Sequence, residues 1–199
     1  MANAKEIIKN AVVLFLITAV VAALLAGANL LTEEKIEENK RLAEQKALSD
    51  VIAAESFEIA PSPVLVELAQ PITGAYFAQA GGKTVGCCIK VAPSGFGGEM
   101  ELIFGVNADL AITGVSVLSH GETAGLGANI TKEKFRSQFV GKKEITGVVK
   151  TQAKENEIQA LSGATISSTA VADGAQTAIE YASMLMQTPG LLIETEAVK

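Results

Sequence analysis

The sequence predicts an α+β fold, an antiparallel sheet flanked by helices and preceded by one transmembrane helix and a stalk helix. Three observations carry this. Residues 10–32, NAVVLFLITAVVAALLAGANLLT, contain no charged side chain. Between residues 71 and 120, short apolar and β-branched runs are separated by glycine-bearing turns. Near the C-terminus a hydroxyl-rich stretch, LSGATISST (161–169), opens an apolar run with helical spacing. A run of strands followed by helices favours α+β over a parallel, alternating fold.

Residues 1–9 form a short N-terminal tail and 10–32 the span, since roughly 20 apolar residues suffice to cross a bilayer. A cleaved signal peptide is the alternative, with Lys5 and Lys9 ahead of its core and Ala26-Gly27-Ala28 as a small-residue cleavage site. The run exceeds the roughly 7–15 residues of a signal core and continues through Leu30 and Leu31, so a retained anchor is expected. Lys5 and Lys9 before the span, and Lys35, Lys40, Arg41 and Lys46 after it, leave orientation open.

Residues 33–63 read as stalk helix and linker. EEKIEENKRLAEQKALSD is rich in helix formers, and Pro61 and Pro63 cannot continue a helix. The folded domain is expected over 64–190, with a tail at 191–199. Its strands are ITGAYFAQ, TVGCCIKVA, MELIFGV and AITGVSVLSH, joined by AGGK, PSGFGGE and NADL as an antiparallel meander. Cys87 and Cys88 are adjacent, too strained to bridge each other, and read as small buried strand residues. Thr131 can cap a short helix, KEKFRSQFV, and EITGVVK is a further strand. Ser167–Met186 is a helix in which Val171, Ala175, Ala178, Ile179, Ala182, Leu185 and Met186 recur on one face, ended by Pro189-Gly190.

Several chemistries are excluded. A net charge of −6 gives no basic footprint for nucleic acid. A single histidine, His120, and one strand-borne cysteine pair do not make a zinc site or a haem attachment. There is no GxxxxGK[ST] phosphate loop and no GxGxxG after a strand. Ser162, Ser167 or Ser168 could in principle join His120 in a hydrolase, but LSGAT is not a GxSxG elbow.

Two constellations remain, SHGETAGLG (119–127) and SGATISS (162–168). Glycines let backbone approach a ligand, and free N–H groups at a helix start favour an anion, typically phosphate. The residues therefore suggest a phosphate-bearing cofactor, its phosphate at the start of the C-terminal helix and its flat part against the Glu122–Gly127 loop. A plain N-cap with spare hydroxyls and an ordinary loop are the alternatives.

The combination of GFGGEMELIFGVNAD, ITGVSVLSHGETAGLG and Ser162-Gly163-Ala164-Thr165 resembles the FMN-binding domain family. With one N-terminal span, the chain is similar to the G-subunit family of Rnf-type ion-translocating electron transport complexes, related to the C-subunit family of the sodium-translocating NADH:quinone reductase. The resemblance covers residues 71–187 and the anchor. It implies that a separate flavin transferase esterifies the FMN phosphate to the Thr165 hydroxyl. It implies Ser162, Gly163, Ala164, Ser167 and Ser168 around the phosphate. His120, Glu122, Thr123, Gly125, Leu126 and Gly127 would lie at the isoalloxazine, tuning it by hydrogen bonds and local charge. No catalytic side chain and no metal is implied. The implied role is electron relay between membrane subunits of a complex that couples ferredoxin and NAD to sodium or proton movement. The chain would be single-pass in the cytoplasmic membrane, with the flavin domain on the extracytoplasmic side. Ala124 stands where the family usually has Pro, and Gln159 where an acidic residue often precedes the motif. Competing readings are a membrane-tethered binding or assembly module without flavin, and an exported serine hydrolase.

Overall fold

The computed structural model describes residues 4–60 and 70–187. The chain divides into two compact units between Ala43 and Glu44. The first is helical throughout its described residues, part of α1 (Ala4–Val51). The expected span and stalk are thus one uninterrupted helix. Its apolar side chains face outward, Phe15 at 69% and Leu31 at 86% exposure, as expected of a helix whose solvent is lipid. By length and composition α1 can cross a membrane.

The second unit is built on a five-stranded antiparallel sheet in the order β1-β2-β3-β4-β5: Ser56–Ile59, Ile72–Ala80, Lys83–Val91, Glu101–Asn107 and Ile112–Ser119. The expected meander is the core of this sheet. The first strand is an addition: Glu58 and Ile59, expected in a linker, pair with Phe77 and Tyr76 of β2. SFEI is too short to announce itself; only its partner makes it a strand. Ala60 is buried, its amide donating to the Ala75 carbonyl, whereas residues 61–63 of the expected linker, the boundary at residue 64, the helix stop Pro189-Gly190 and the tail at 191–199 lie outside the described residues.

Alternation along β3 and β4 sorts the side chains onto two faces. Cys87, Ile89, Leu102 and Phe104 pack under α3 (Thr165–Gln187). Cys88 and Ile103 pack against Ala47, Leu48 and Val51, the last turns of α1. The cysteines are therefore both buried and both free, on opposite faces of one strand. Helix α3 begins two residues before its expected start, and its buried face carries Val171, Ala175, Ala178, Ile179, Ala182 and Leu185 as the periodicity predicts. Its many alanines let it lie close to the sheet.

Between β5 and α3 the chain is mostly irregular. The expected helix KEKFRSQFV shrinks to α2 (Glu133–Arg136), flanked by 3-10 turns. Thr131 does not cap it; its hydroxyl donates back to the Ala128 carbonyl at 2.8 Å. What fixes the segment is Phe135 and Phe139, buried edge-to-face with ring centroids 5.5 Å apart. The expected strand EITGVVK reduces to β6 (Gly147–Val149), paired in parallel with β7 (Glu157–Gln159). Strand β7 delivers the chain straight into LSGAT.

Candidate functional site

The hydroxyl-rich stretch folds as a tight turn leading into a helix. The Ala164 amide donates to the Leu161 carbonyl at 3.0 Å, closing a turn with Gly163 at φ 75°. That left-handed value is readily adopted only by glycine. Ser168 then secures the junction. Its amide donates to the Ala164 carbonyl, its Oγ donates to the same carbonyl, and its Oγ accepts the Leu161 amide. As the first amides of α3, those of Thr165, Ile166 and Ser167 have no intrahelical acceptor and point out of the helix start.

A cleft of ≈ 230 Å³ opens at this helix start. One wall is Gly163, Ala164, Thr165, Ile166 and Ser167; a second is Glu122, Thr123, Leu126 and Gly127; the third is Phe96, from the glycine turn before β4. Glu122 joins the walls. It accepts the Gly97 amide on Oε1 at 3.0 Å and the Ser167 hydroxyl on Oε2 at 2.6 Å. Burial pushes its pKa up, but the Ser167 hydroxyl, the Gly97 and Phe96 amides and the electrostatic influence of nearby His120 together hold it below the ordinary carboxylate value. It is thus an ionised carboxylate, and among the described residues no lysine or arginine lines the cleft.

The site residues expected from sequence separate into three groups. Glu122, Thr123, Leu126, Gly127, Gly163, Ala164, Thr165 and Ser167 line the cleft together. Gly125 and His120 support it from outside: Gly125 turns the loop at φ 79°, and His120 Nδ1 accepts the Glu122 amide at 3.2 Å. Ser162 and Ser168 are elsewhere. Ser162 is exposed and faces a second concavity with Lys132, Lys134 and Gln159. Ser168 is fully buried with its hydroxyl committed to backbone, so it is a structural residue and not a phosphate donor. Ser167 spends its proton on Glu122. Among the described residues Thr165 is the motif hydroxyl that both lines the cleft and makes no hydrogen bond.

Sequence reasoning missed Phe96 and Ile166. Both are large apolar side chains left exposed, at 71% and 58%. The signal was present in each case: an aromatic in the middle of a glycine turn, and an isoleucine amid hydroxyls in a helix's first turn. The hydrolase geometry is absent among the described residues, where His120 bonds the Glu122 amide and no serine.

The donor set suits a phosphate bearing a flat aromatic group. Open helix amides suit the anion, and Phe96, Leu126 and Ile166 offer apolar contact to a ring. The fold and cleft define a class, the FMN-binding domain set behind an apolar N-terminal helix. Residues 95–180 match the family model for the FMN-binding domain, and residues 1–51 match that for the RnfG N-terminal region. The chain is 36% identical over 190 residues to the G subunit of the Na(+)-translocating ferredoxin:NAD(+) oxidoreductase complex of Acetobacterium woodii, covering 88% of this chain and 91% of that protein. It is 34% identical to the G subunit of the ion-translocating oxidoreductase complex of Methanosarcina acetivorans, covering 92% and 98%. The crystal structure of the C subunit of Na(+)-translocating NADH-quinone reductase from Parabacteroides distasonis overlays with a TM-score of 0.49 at 25% identity, covering 58% of this chain and 63% of that one. The chain belongs to the RnfG family, the G subunits of ion-translocating oxidoreductase complexes.

Proposed function

We propose that this chain is the membrane-anchored flavoprotein subunit of an ion-translocating ferredoxin:NAD oxidoreductase complex, carrying FMN through a phosphoester to Thr165. The observation that carries the attachment site is the state of the hydroxyls. Ser167 and Ser168 are spent on internal bonds, Ser162 lies outside the cleft, and Thr165 lines it with its hydroxyl free. The amides of the first turn of α3, with the positive end of the helix dipole, would hold the phosphate without a cation. Phe96, Leu126 and Ile166 would flank the ring. FMN supplies reversible electron uptake; the protein supplies position and local charge.

The names of the relatives support electron transfer within a multi-subunit complex, so the other membrane subunits are the partners. A separate flavin transferase makes the ester. Helix α1 anchors the chain in the cytoplasmic membrane, with the flavin domain extracytoplasmic. The exposure of Phe96 and Ile166 supports a ring that keeps an edge open to the cofactor of a neighbouring subunit.

The test is co-expression with a flavin transferase and inspection of the denatured protein band under ultraviolet light. A fluorescent band that disappears in Thr165→Ala is the expected result. A dark wild-type band overturns covalent attachment and favours an assembly module without flavin. Protease accessibility of the domain in sealed vesicles of known polarity tests its side of the membrane.

A further inference from the structure

Both carboxylate oxygens of Glu122 are engaged inside the protein, and its donors come from the other two walls of the cleft. Gly97 belongs to the turn carrying Phe96; Ser167 belongs to the first turn of α3, with Thr165 and Ile166. The chain also reserves space for this one side chain. A Cβ on Gly95 would lie 2.2 Å from Oε1, and a Cβ on Gly127 2.2 Å from Oε2 and 2.7 Å from Ser167 Oγ. A Cβ on Gly97 would lie 2.1 Å from the Gly121 carbonyl oxygen, so the turn and the loop meet backbone to backbone. Glu122 itself is 8% exposed. A carboxylate this enclosed and bonded on both oxygens is not arranged as a hydrogen-bond acceptor for a ligand. Hydrogen bonds to an ionised acceptor are also roughly twice as strong as neutral ones.

Resting on the FMN reading above, we propose that Glu122 is a positioning residue: with Ser167 and the Gly97 amide it clamps the three walls of the cleft at fixed spacing around the flavin ring, and its charge, fixed behind that ring, holds the flavin's reduction potential low. Electron uptake adds negative charge to the ring, and a nearby buried anion is weakly screened, so it opposes that uptake. Among the described residues that line the cleft there is no lysine or arginine to offset it. The clamp also accounts for Ser167 being buried in a stretch whose other hydroxyls point elsewhere.

The experiment compares wild type, Glu122→Gln, Glu122→Ala and Gly127→Ala as full-length protein. Three quantities are read: fluorescence of the denatured band, midpoint potential of the attached flavin, and thermal midpoint of unmodified chain. Glu122→Gln keeps the shape and an acceptor for Gly97 but removes the charge. In the protein that labels, the flavin potential is expected to be shifted positive. Glu122→Ala and Gly127→Ala are expected to lower the thermal midpoint of unmodified chain, the second by displacing the carboxylate. A labelled Glu122→Gln protein at the wild-type potential overturns the charge role. A wild-type thermal midpoint in either of the other two variants overturns the clamp. An unlabelled wild type overturns the FMN reading instead, and the clamp is still judged from the thermal midpoints.

Discussion

Thr113 Oγ1 donates a 2.5 Å hydrogen bond to the carbonyl of Val51, the last residue of α1. A helix ends with carbonyls that lack intrahelical donors, and here a strand of the sheet supplies one. The approach is close because β4 and β5 present glycines beneath it. A Cβ on Gly105 would lie 2.5 Å from Val51 O and 2.6 Å from Thr113 Oγ1, and one on Gly114 would lie 2.8 Å from Val51 Cα. The glycines, the threonine and the helix end form one fitted joint.

Gly105→Ala should therefore lower the stability of the folded domain by about 1–3 kcal/mol, as overpacking does. Thr113→Val should cost a similar about 1–3 kcal/mol, by leaving a buried carbonyl without its donor. Denaturant unfolding followed by circular dichroism checks both. A Gly105→Ala protein as stable as wild type would mean the helix end does not sit on the sheet this tightly.

At the helix start the hydroxyls should separate by position. Ser168→Ala removes a buried hydroxyl that accepts the Leu161 amide, and should destabilise by about 1–3 kcal/mol. Ser162→Ala removes an exposed one and should stay within about 0.5 kcal/mol of wild type. Gly163→Ala should cost about 1–2 kcal/mol, because φ is 75° and the new Cβ meets Leu126 Cδ2 at 3.2 Å. Flavin labelling should survive Ser162→Ala fully. Loss of label there would move the phosphate site toward the second concavity.

Much of this site was legible in the sequence, and the residues show why. Gly163, Thr165 and the Glu122–Gly127 loop announce themselves by composition, because left-handed turns, free hydroxyls and close backbone approach each demand particular residue types. Ser162, Ser167 and Ser168 share one type and have three fates. Which hydroxyl bonds Glu122, which bonds Leu161 and which faces solvent depends on helix phase and on a partner 45 residues away in the case of Ser167. Composition cannot encode that. The same holds for β1 and β7, strands of four and three residues that exist only through their neighbours. The long periodic elements, α3 and β3 to β5, were readable because repetition on one face is itself a sequence signal.

The pH dependence of stability should carry the signature of Glu122. Its folded pKa lies below its ordinary value of 4.5, so the stabilisation is complete above that value and is lost as pH falls through the folded pKa. The unfolding free energy of wild type should thus drop faster below about pH 4.5 than that of Glu122→Gln. His120, whose Nδ1 accepts the Glu122 amide, also faces this carboxylate and lowers its pKa. A His120→Asn variant, its Glu122 pKa less depressed, should therefore lose less stability on acidification than wild type, the loss ending at a higher pH. Parallel curves for wild type and Glu122→Gln would refute the assignment.

The two cysteines should be silent in the native protein. Burial pushes the Cys87 thiol up to about 12, and it pushes Cys88 higher still, with Cys87 adding to the effect. The thiolate is the reactive form, so almost none is present at neutral pH. Ellman's reagent should label neither cysteine in the folded chain and both after denaturation. Rapid native labelling would show that the sheet opens locally at β3.

Phe96 should separate flavin packing from protein stability. It is 71% exposed, so Phe96→Ala should change unfolding free energy by no more than about 0.5 kcal/mol. If it flanks the ring, its removal forfeits an aromatic contact of about 0.5–1.5 kcal/mol, felt only when flavin is attached. Labelling of Thr165 should be unchanged, because Phe96 belongs to the turn before β4 and not to the helix start that carries the hydroxyl. The ring should then move more freely about its tether, and time-resolved fluorescence anisotropy should show a new nanosecond depolarisation in Phe96→Ala that Phe96→Tyr lacks. Identical decays in wild type and Phe96→Ala would place the ring away from this wall, and would leave the exposed aromatic to a neighbouring protein of the complex rather than to the cofactor.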